Sequence, residues 1–414
     1  MRSFRGMSVP SVRLILSYAF DWIVVIGIAA LGGGWEFIQP FKRPFSPVDL
    51  TISYPYQTSE MIPTWLLIII ALVAPAAIIF IVCLLLVPGP TAERGTPKSL
   101  IWRRKLWEWH TGWLGLALAL ATAFMITQGM KNLFGKPRPD LLSRCQPDLE
   151  RIEEFVISPL QWGSRFNPNW VLVTDAICQQ TDDDILKDGF KSFPSGHSSF
   201  SWAGLLYLTL FLASKFSIAI PYLAPRPYSQ NPAYVSAVAP SNLKKQNTLP
   251  FHKQESTLSA PSFAAEYIVP IRYQNAAPPV YTLVLVLVPV ASAIYITSTR
   301  YTDFRHFGFD MLFGTFIGVT CAWFSFRFYH LPITRGAGWA WGPRSYSRAW
   351  GIGVGVGSYV GSEGWSRAGD SETAPRDGRR ANGHSSGNGI TESEHELVER
   401  RGDMPTREGP AHAI

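Results

Sequence analysis

An all-α integral membrane protein built round six transmembrane helices is the fold class this 414-residue sequence predicts. Two observations carry that expectation. Hydrophobic residues make up 47% of the chain and charged residues only 16%, against about a quarter charged in soluble domains. The apolar residues are also gathered into runs of about 20, the length that crosses a bilayer whose core offers no partner to a bare backbone group. A disordered chain, a simple cytosolic enzyme and, with only 4 Cys, a disulfide-dense scaffold are excluded. The net charge of +7 is no nucleic-acid signal. The basic residues flank apolar runs and fill the tail, where their ordinary task is orientation in the membrane.

The six spans fall at 14–32, 65–87, 113–130, 197–218, 280–298 and 311–326. The second holds no charge at all. The first carries Asp21, close enough to an end to read as an interfacial carboxylate, and is too long for a cleaved signal. The fourth carries Lys215 near its end, where a long side chain can snorkel. Between spans two and three, Trp102, Trp107 and Trp109 mix with Arg103, Arg104 and Lys105, which suits an interfacial helix on anionic headgroups or an ordinary aromatic belt. The chain thus divides into an N-terminal segment at 1–12, a membrane core at 13–331 interrupted by a Pro-, Ser-, Asn- and Gln-rich flexible insert at 221–279, and a disordered tail at 332–414. Arg94, Lys98, Arg103, Arg104 and Lys105 in the second loop, with the Arg-rich tail, place both termini, the insert and the tail in the cytosol. The loops after spans one, three and five then face the lumen or exterior of an endomembrane or plasma membrane.

Three polar clusters meet spans on that noncytosolic side. Lys131 to Pro139 closes span three, Pro194-Ser195-Gly196-His197 opens span four, and Arg300 to Asp310 joins spans five and six. Lys131, Arg138 and Arg300 are fixed cations, and Arg offers paired donors to phosphate oxygens. Ser195 and Gly196 put backbone N–H groups and a positive helix end at the same anion. His306 and Asp310, four apart, share a face on a helix, so the carboxylate can fix the tautomer of a nucleophilic imidazole. His197 remains to protonate a leaving alkoxide. Each piece alone is more often a membrane anchor or a helix start; their joint occurrence on one face reverses that.

Together these segments resemble the signature of the lipid phosphate phosphatase, or type-2 phosphatidic acid phosphatase, superfamily. Its Lys, six residues, Arg-Pro is matched by Lys131, Arg138 and Pro139; its Pro-Ser-Gly-His by Pro194 to His197; its Ser-Arg, five residues, His, three residues, Asp by Arg300, His306 and Asp310. Thr299 stands where the family has Ser, and Phe307 where a second His is often seen. The resemblance implies a six-helix core and metal-independent, magnesium-free hydrolysis of a membrane lipid phosphate through a phosphohistidine. His306 is then nucleophile, Asp310 its orienting partner, His197 acid and then base, and Lys131, Arg138, Ser195, Gly196 and Arg300 hold the phosphate; no cofactor, metal site or nucleic acid is implied. Arg138 to Leu142 with Cys145 resemble the branch acting on phosphatidate and diacylglycerol pyrophosphate. A phosphotransferase of the same superfamily differs only in its acceptor, and a silent lipid-binding or transport protein would tend to have lost His306.

Two other phosphatase signals fail. Cys145 and Arg151 have cysteine-phosphatase spacing, but Asp148 and Glu150 between them would repel phosphate. Asp182 to Asp184 reads as a solvated loop sooner than a cation site. Cys145 and Cys178 are the only Cys of the noncytosolic loop after span three and, in oxidising surroundings, are expected to pair, with Cys83 and Cys321 left inside spans.

Overall fold

The computed structural model describes residues 11–89, 96–157, 165, 167, 170–219, 277–333 and 338–344. Residues 1–10, most of the insert at 221–279 and the tail beyond 344 lie outside the described residues. Eight α-helices follow: α1 (Val12–Phe37), α2 (Thr64–Leu86), α3 (Lys98–Phe134), α4 (Leu141–Cys145), α5 (Asp183–Gly189), α6 (Gly196–Lys215), α7 (Val280–Thr302) and α8 (Gly308–Tyr329). Pairing of extended backbone among the described residues is limited to isolated bridges.

Five helices, α1, α2, α3, α7 and α8, are long and apolar enough to cross a membrane, and the chain is a multi-pass membrane protein. The expected sixth span, α6, falls short because His197, Ser198, Ser199 and Ser201 occupy its first turns. Its position explains the tolerance: α6 runs between α3, α7 and α8, with α2 against its middle, so its polar atoms meet protein instead of lipid.

Small residues let the backbones approach. On α8, a methyl group added at Gly314 would lie 2.6 Å from the Ser195 carbonyl oxygen, and one at Gly318 2.5 Å from that of Ser199. Gly204 of α6 is tighter, its added methyl falling 1.9 Å from the Ala71 carbonyl oxygen of α2. That contact sits where α2 widens into a π turn over Ile69–Val73, just before Pro75, which has no N–H to continue the regular ladder.

Helix α3 has 37 residues and so is about 55 Å long. The Trp- and Arg-rich segment expected as a separate interfacial helix is its first three turns. At that end Lys215 does not snorkel but forms a buried ion pair with Glu108, since Trp339, 4.7 Å away, and Phe211 close over the ammonium. Residues 338–344, the start of the stretch read as a tail, lie against the same end: Trp107 Nε1 donates to Trp341 O (2.8 Å), and Arg344 meets Asp21 at 2.6 Å.

At the other end, the described residues within 38–63 and 135–195 form a cap with its own apolar core of Phe45, Leu141, Val173, Ile177 and Phe190. Backbone bridges join Val173 to Phe45 and to Val156. Cys145 and Cys178 are disulfide-bonded, and Cys83 and Cys321 are free and buried.

Replacing Gly204 by Ala should force α2 and α6 apart and lower stability by about 1–3 kcal/mol. Gly33→Ala, whose methyl meets nothing within 4 Å, should be neutral. Thermal unfolding of the two variants in detergent, side by side, checks the difference.

Candidate active site

The three motifs converge where α3 ends and α6 and α8 begin. Asp310 joins them. It is fully buried, and its carboxylate accepts from Lys136 Nζ (2.7 Å), Ser192 Oγ (2.6 Å) and the Phe307 N–H (3.2 Å). Its own carbonyl accepts the Ser195 N–H at 3.0 Å. Three donors from three chain segments thus compensate one buried carboxylate.

The expected helical pairing of His306 with Asp310 is corrected here. Helix α8 starts at Gly308, with Phe307 in extended backbone before it, so His306 lies outside the helix and Asp310 turns back to cap it. His306 Nδ1 is instead bonded to the Ser192 carbonyl oxygen at 2.6 Å. A carbonyl only accepts, so the ring carries its proton on Nδ1 and keeps its lone pair on Nε2. Burial pushes the His306 pKa well below its usual value, and the charges of Arg138 and Lys131 push the same way. Both effects favour the neutral imidazole. Asp310 orients it through Ser192, whose hydroxyl it holds and whose N–H is tied to Lys136 O at 3.1 Å.

His197 is fixed by the opposite nitrogen: its Nε2 is bonded to the Ile62 carbonyl oxygen at 2.9 Å. Ser195 caps α6, its hydroxyl accepting from the Ser198 N–H. The Ser195 N–H is spent on Asp310 O, so the donors expected at the positive end of α6 are those of Gly196 and His197. A methyl on Gly196 would lie 3.3 Å from Lys131 Nζ, which places that ammonium at the mouth of the helix.

The cations are held by carboxylates. Arg138 meets Asp188 at 2.6 Å, Arg144 meets it at 3.0 Å and Arg305 at 3.4 Å. Burial raises the Asp188 pKa, but Arg138 and Arg144 outweigh it and hold the carboxyl well below the usual range. Arg300, 1% exposed, lies between Glu60 and Asp303, each at 2.8 Å. Arg138 and Arg305 each have a buried Nε without a hydrogen-bond partner. The two departures from the family pattern are both accommodated: Thr299 places its hydroxyl 3.4 Å from Arg300 Nε, and the Phe307 ring lies 4.3 Å from Lys136 Nζ. Asp182 caps α5 through the Asp184 and Ile185 N–H groups, which accounts for the acidic run.

Sequence motifs named Lys131, Arg138, Ser195, Gly196, His197, Arg300, His306 and Asp310, and the structure gathers them. It adds Glu60, Lys136, Arg144, Asp188, Ser192 and Arg305, of which only Lys136 and Arg305 lie inside a motif.

A helical membrane bundle that presents two tautomer-fixed imidazoles among buried guanidinium and ammonium groups is suited to a phosphate ester. Residues 112–333 match the model of the PAP2 superfamily, and the chain belongs to that superfamily. It is 30% identical over 281 residues to the "Probable diacylglycerol pyrophosphate phosphatase 1" of Schizosaccharomyces pombe, covering 65% of this chain and 84% of that protein. It is 26% identical over 295 residues to "Diacylglycerol pyrophosphate phosphatase 1" of Saccharomyces cerevisiae, covering 71% and 73%. Identity to "Probable lipid phosphate phosphatase 4" of Arabidopsis thaliana is 24% over 330 residues, 79% and 77% of the two chains. No solved structure matches.

The disulfide ties α4, which carries Arg144, to the segment after Ile177. Peptide mapping without reductant should yield a linked Cys145–Cys178 peptide, and Cys145→Ser should cost about 3 kcal/mol of stability. Free alkylation of both thiols in the folded protein would contradict the pairing.

Proposed function

We propose that the protein is a lipid phosphate phosphatase that hydrolyses phosphatidate, and also diacylglycerol pyrophosphate or lysophosphatidate, through a phosphohistidine and without a metal ion. The single observation that supports this most is the buried, Nδ1-anchored imidazole of His306 near the charges of Arg138 and Lys131. The names of the relatives support the lipid substrate.

Lys131, Arg138, Arg300 and the first N–H groups of α6 take the equatorial oxygens of the transferred phosphoryl, where negative charge is spread. His306 Nε2 forms a bond to phosphorus while the bond to the lipid oxygen breaks, and the departing oxygen takes a proton from His197. Water then bonds to phosphorus, gives its proton to His197, and the phosphorus–nitrogen bond breaks to release phosphate and free His306. The cations supply fixed positive charge from side chains of this chain alone. Lys98, Arg103, Arg104 and Lys105 in the first turns of α3, with Arg94 before them and the Arg-rich tail, argue for the cytosolic face, which supports an active site and disulfide on the luminal or extracellular side.

Enzyme quenched with labelled phosphatidate should carry an acid-labile, base-stable phosphate that His306→Ala abolishes together with turnover. Phosphate release in micelles should persist with excess chelator. Near-normal turnover of His306→Ala would overturn the mechanism.

The same proposal orients the chain. Protease added to sealed vesicles with their cytosolic face outward should cut the insert at 221–279 and the tail but spare residues 131–196. Cleavage confined to 131–196 would invert the orientation.

A further inference from the structure

Glu60 belongs to none of the three motifs, yet it reaches both halves of the site from residues 38–63. Its Oε2 lies 2.8 Å from Arg300 Nη1 and 3.9 Å from His197 Nε2, and its Oε1 lies 3.2 Å from Arg305 Nη2. Two residues on, the Ile62 carbonyl oxygen is the hydrogen-bond partner of His197 Nε2 at 2.9 Å. One short stretch, immediately before α2, therefore supplies His197 with both a tautomer lock and a negative charge.

We infer that Glu60 is the positioning residue that favours the protonated form of His197 in its role as general acid; the inference rests on that role. A carbonyl only accepts, so His197 keeps a proton on Nε2 throughout and exchanges the one on Nδ1. When the phosphorus–oxygen bond breaks, its electron pair stays on the lipid oxygen, which takes the Nδ1 proton. The ring is left neutral, still donating Nε2–H to Ile62. In the second half the Nδ1 lone pair receives the proton of the attacking water.

The first half needs a positively charged ring in an environment hostile to it. His197 is largely buried, and Arg300 of α7, Lys131 of α3 and Arg138 of the following loop add like charge around it, while burial favours the neutral form of His306. Glu60 is the carboxylate within ion-pair distance. An opposite charge at that range favours the charged form of the ring. By holding Arg300 with the same oxygen, Glu60 also couples the phosphate-binding cation to the acid.

The bland alternative is that Glu60 is only a counter-ion that holds Arg300 and Arg305. Leaving-group dependence separates the two. Phosphatidate releases an alkoxide that needs a proton, whereas 4-nitrophenyl phosphate releases a phenolate that does not. Glu60→Gln, whose amide oxygen can still accept from Arg300, should therefore lower kcat on phosphatidate about tenfold more than it lowers kcat on 4-nitrophenyl phosphate. The alkaline limb of kcat/KM for phosphatidate should move about one unit toward lower pH, because removing the carboxylate weakens proton binding at His197. Glu60→Asp should restore part of both. Arg300→Lys, which keeps the charge near His197 but loses the paired guanidinium donors, should depress both substrates alike, and His197→Ala sets the scale of a lost acid. Equal losses on the two substrates in Glu60→Gln, with His197→Ala still selective for phosphatidate, would overturn the inference and leave Glu60 a counter-ion. Equal losses in His197→Ala would instead overturn the acid assignment, and the inference with it. Vanadate binding by each variant confirms that the pocket has folded, and Glu60→Asp carries the test if Glu60→Gln does not bind it.

Discussion

The hydrogen bond from His306 to the Ser192 carbonyl is the contact on which the site depends. It decides which ring nitrogen is free, and it exists only because Ser192 is held from two sides. Asp310 takes the Ser192 hydroxyl, and Lys136 takes its N–H through a backbone carbonyl. The same Asp310 also receives Lys136 and the Phe307 N–H. One buried carboxylate therefore sets the register of all three motifs, which come from opposite ends of different helices. The glycines of α8 serve the same end, because they bring Asp310 against the start of α6 closely enough for Ser195 to bond its carbonyl.

Round this centre the electrostatics are those of a prepared anion site. Arg138, Arg144 and Arg305 share Asp188, and Arg300 and Arg305 share Glu60. Desolvating four guanidinium groups without partners would be prohibitive, and these carboxylates, with Asp140 on Arg144 and Asp303 on Arg300, offset it while leaving donors over for a ligand. The two imidazoles are treated in mirror fashion. Backbone carbonyls fix Nδ1 of His306 and Nε2 of His197, so the proposed nucleophile and the proposed proton carrier present different atoms.

The sequence disclosed the bundle and the motif residues because both leave local patterns: apolar runs of bilayer length, and fixed spacings of cations and imidazoles. It misjudged what depends on tertiary contact. His306 and Asp310 are spaced for one helical face, but the helix starts between them at Gly308. Lys215 looked like a snorkelling side chain because Glu108, over a hundred residues earlier, carries no sign of its partner. Helix α6 looked like an ordinary span, though its polar first turns are shielded by neighbours and not by apolarity. Glu60 and Asp188 were invisible, since a single acidic residue in a loop has no pattern, and only the cap's fold carries them to the arginines.

The isomer of the phosphohistidine tests the central claim most directly. Proteolysis of trapped phosphoenzyme, followed by separation of the phosphopeptide against the two phosphohistidine standards, reads which nitrogen is modified. The Ser192 carbonyl requires phosphate on Nε2 of His306. Phosphate on Nδ1 would mean that the bond to Ser192 does not orient the nucleophile, and the account built on it would fail.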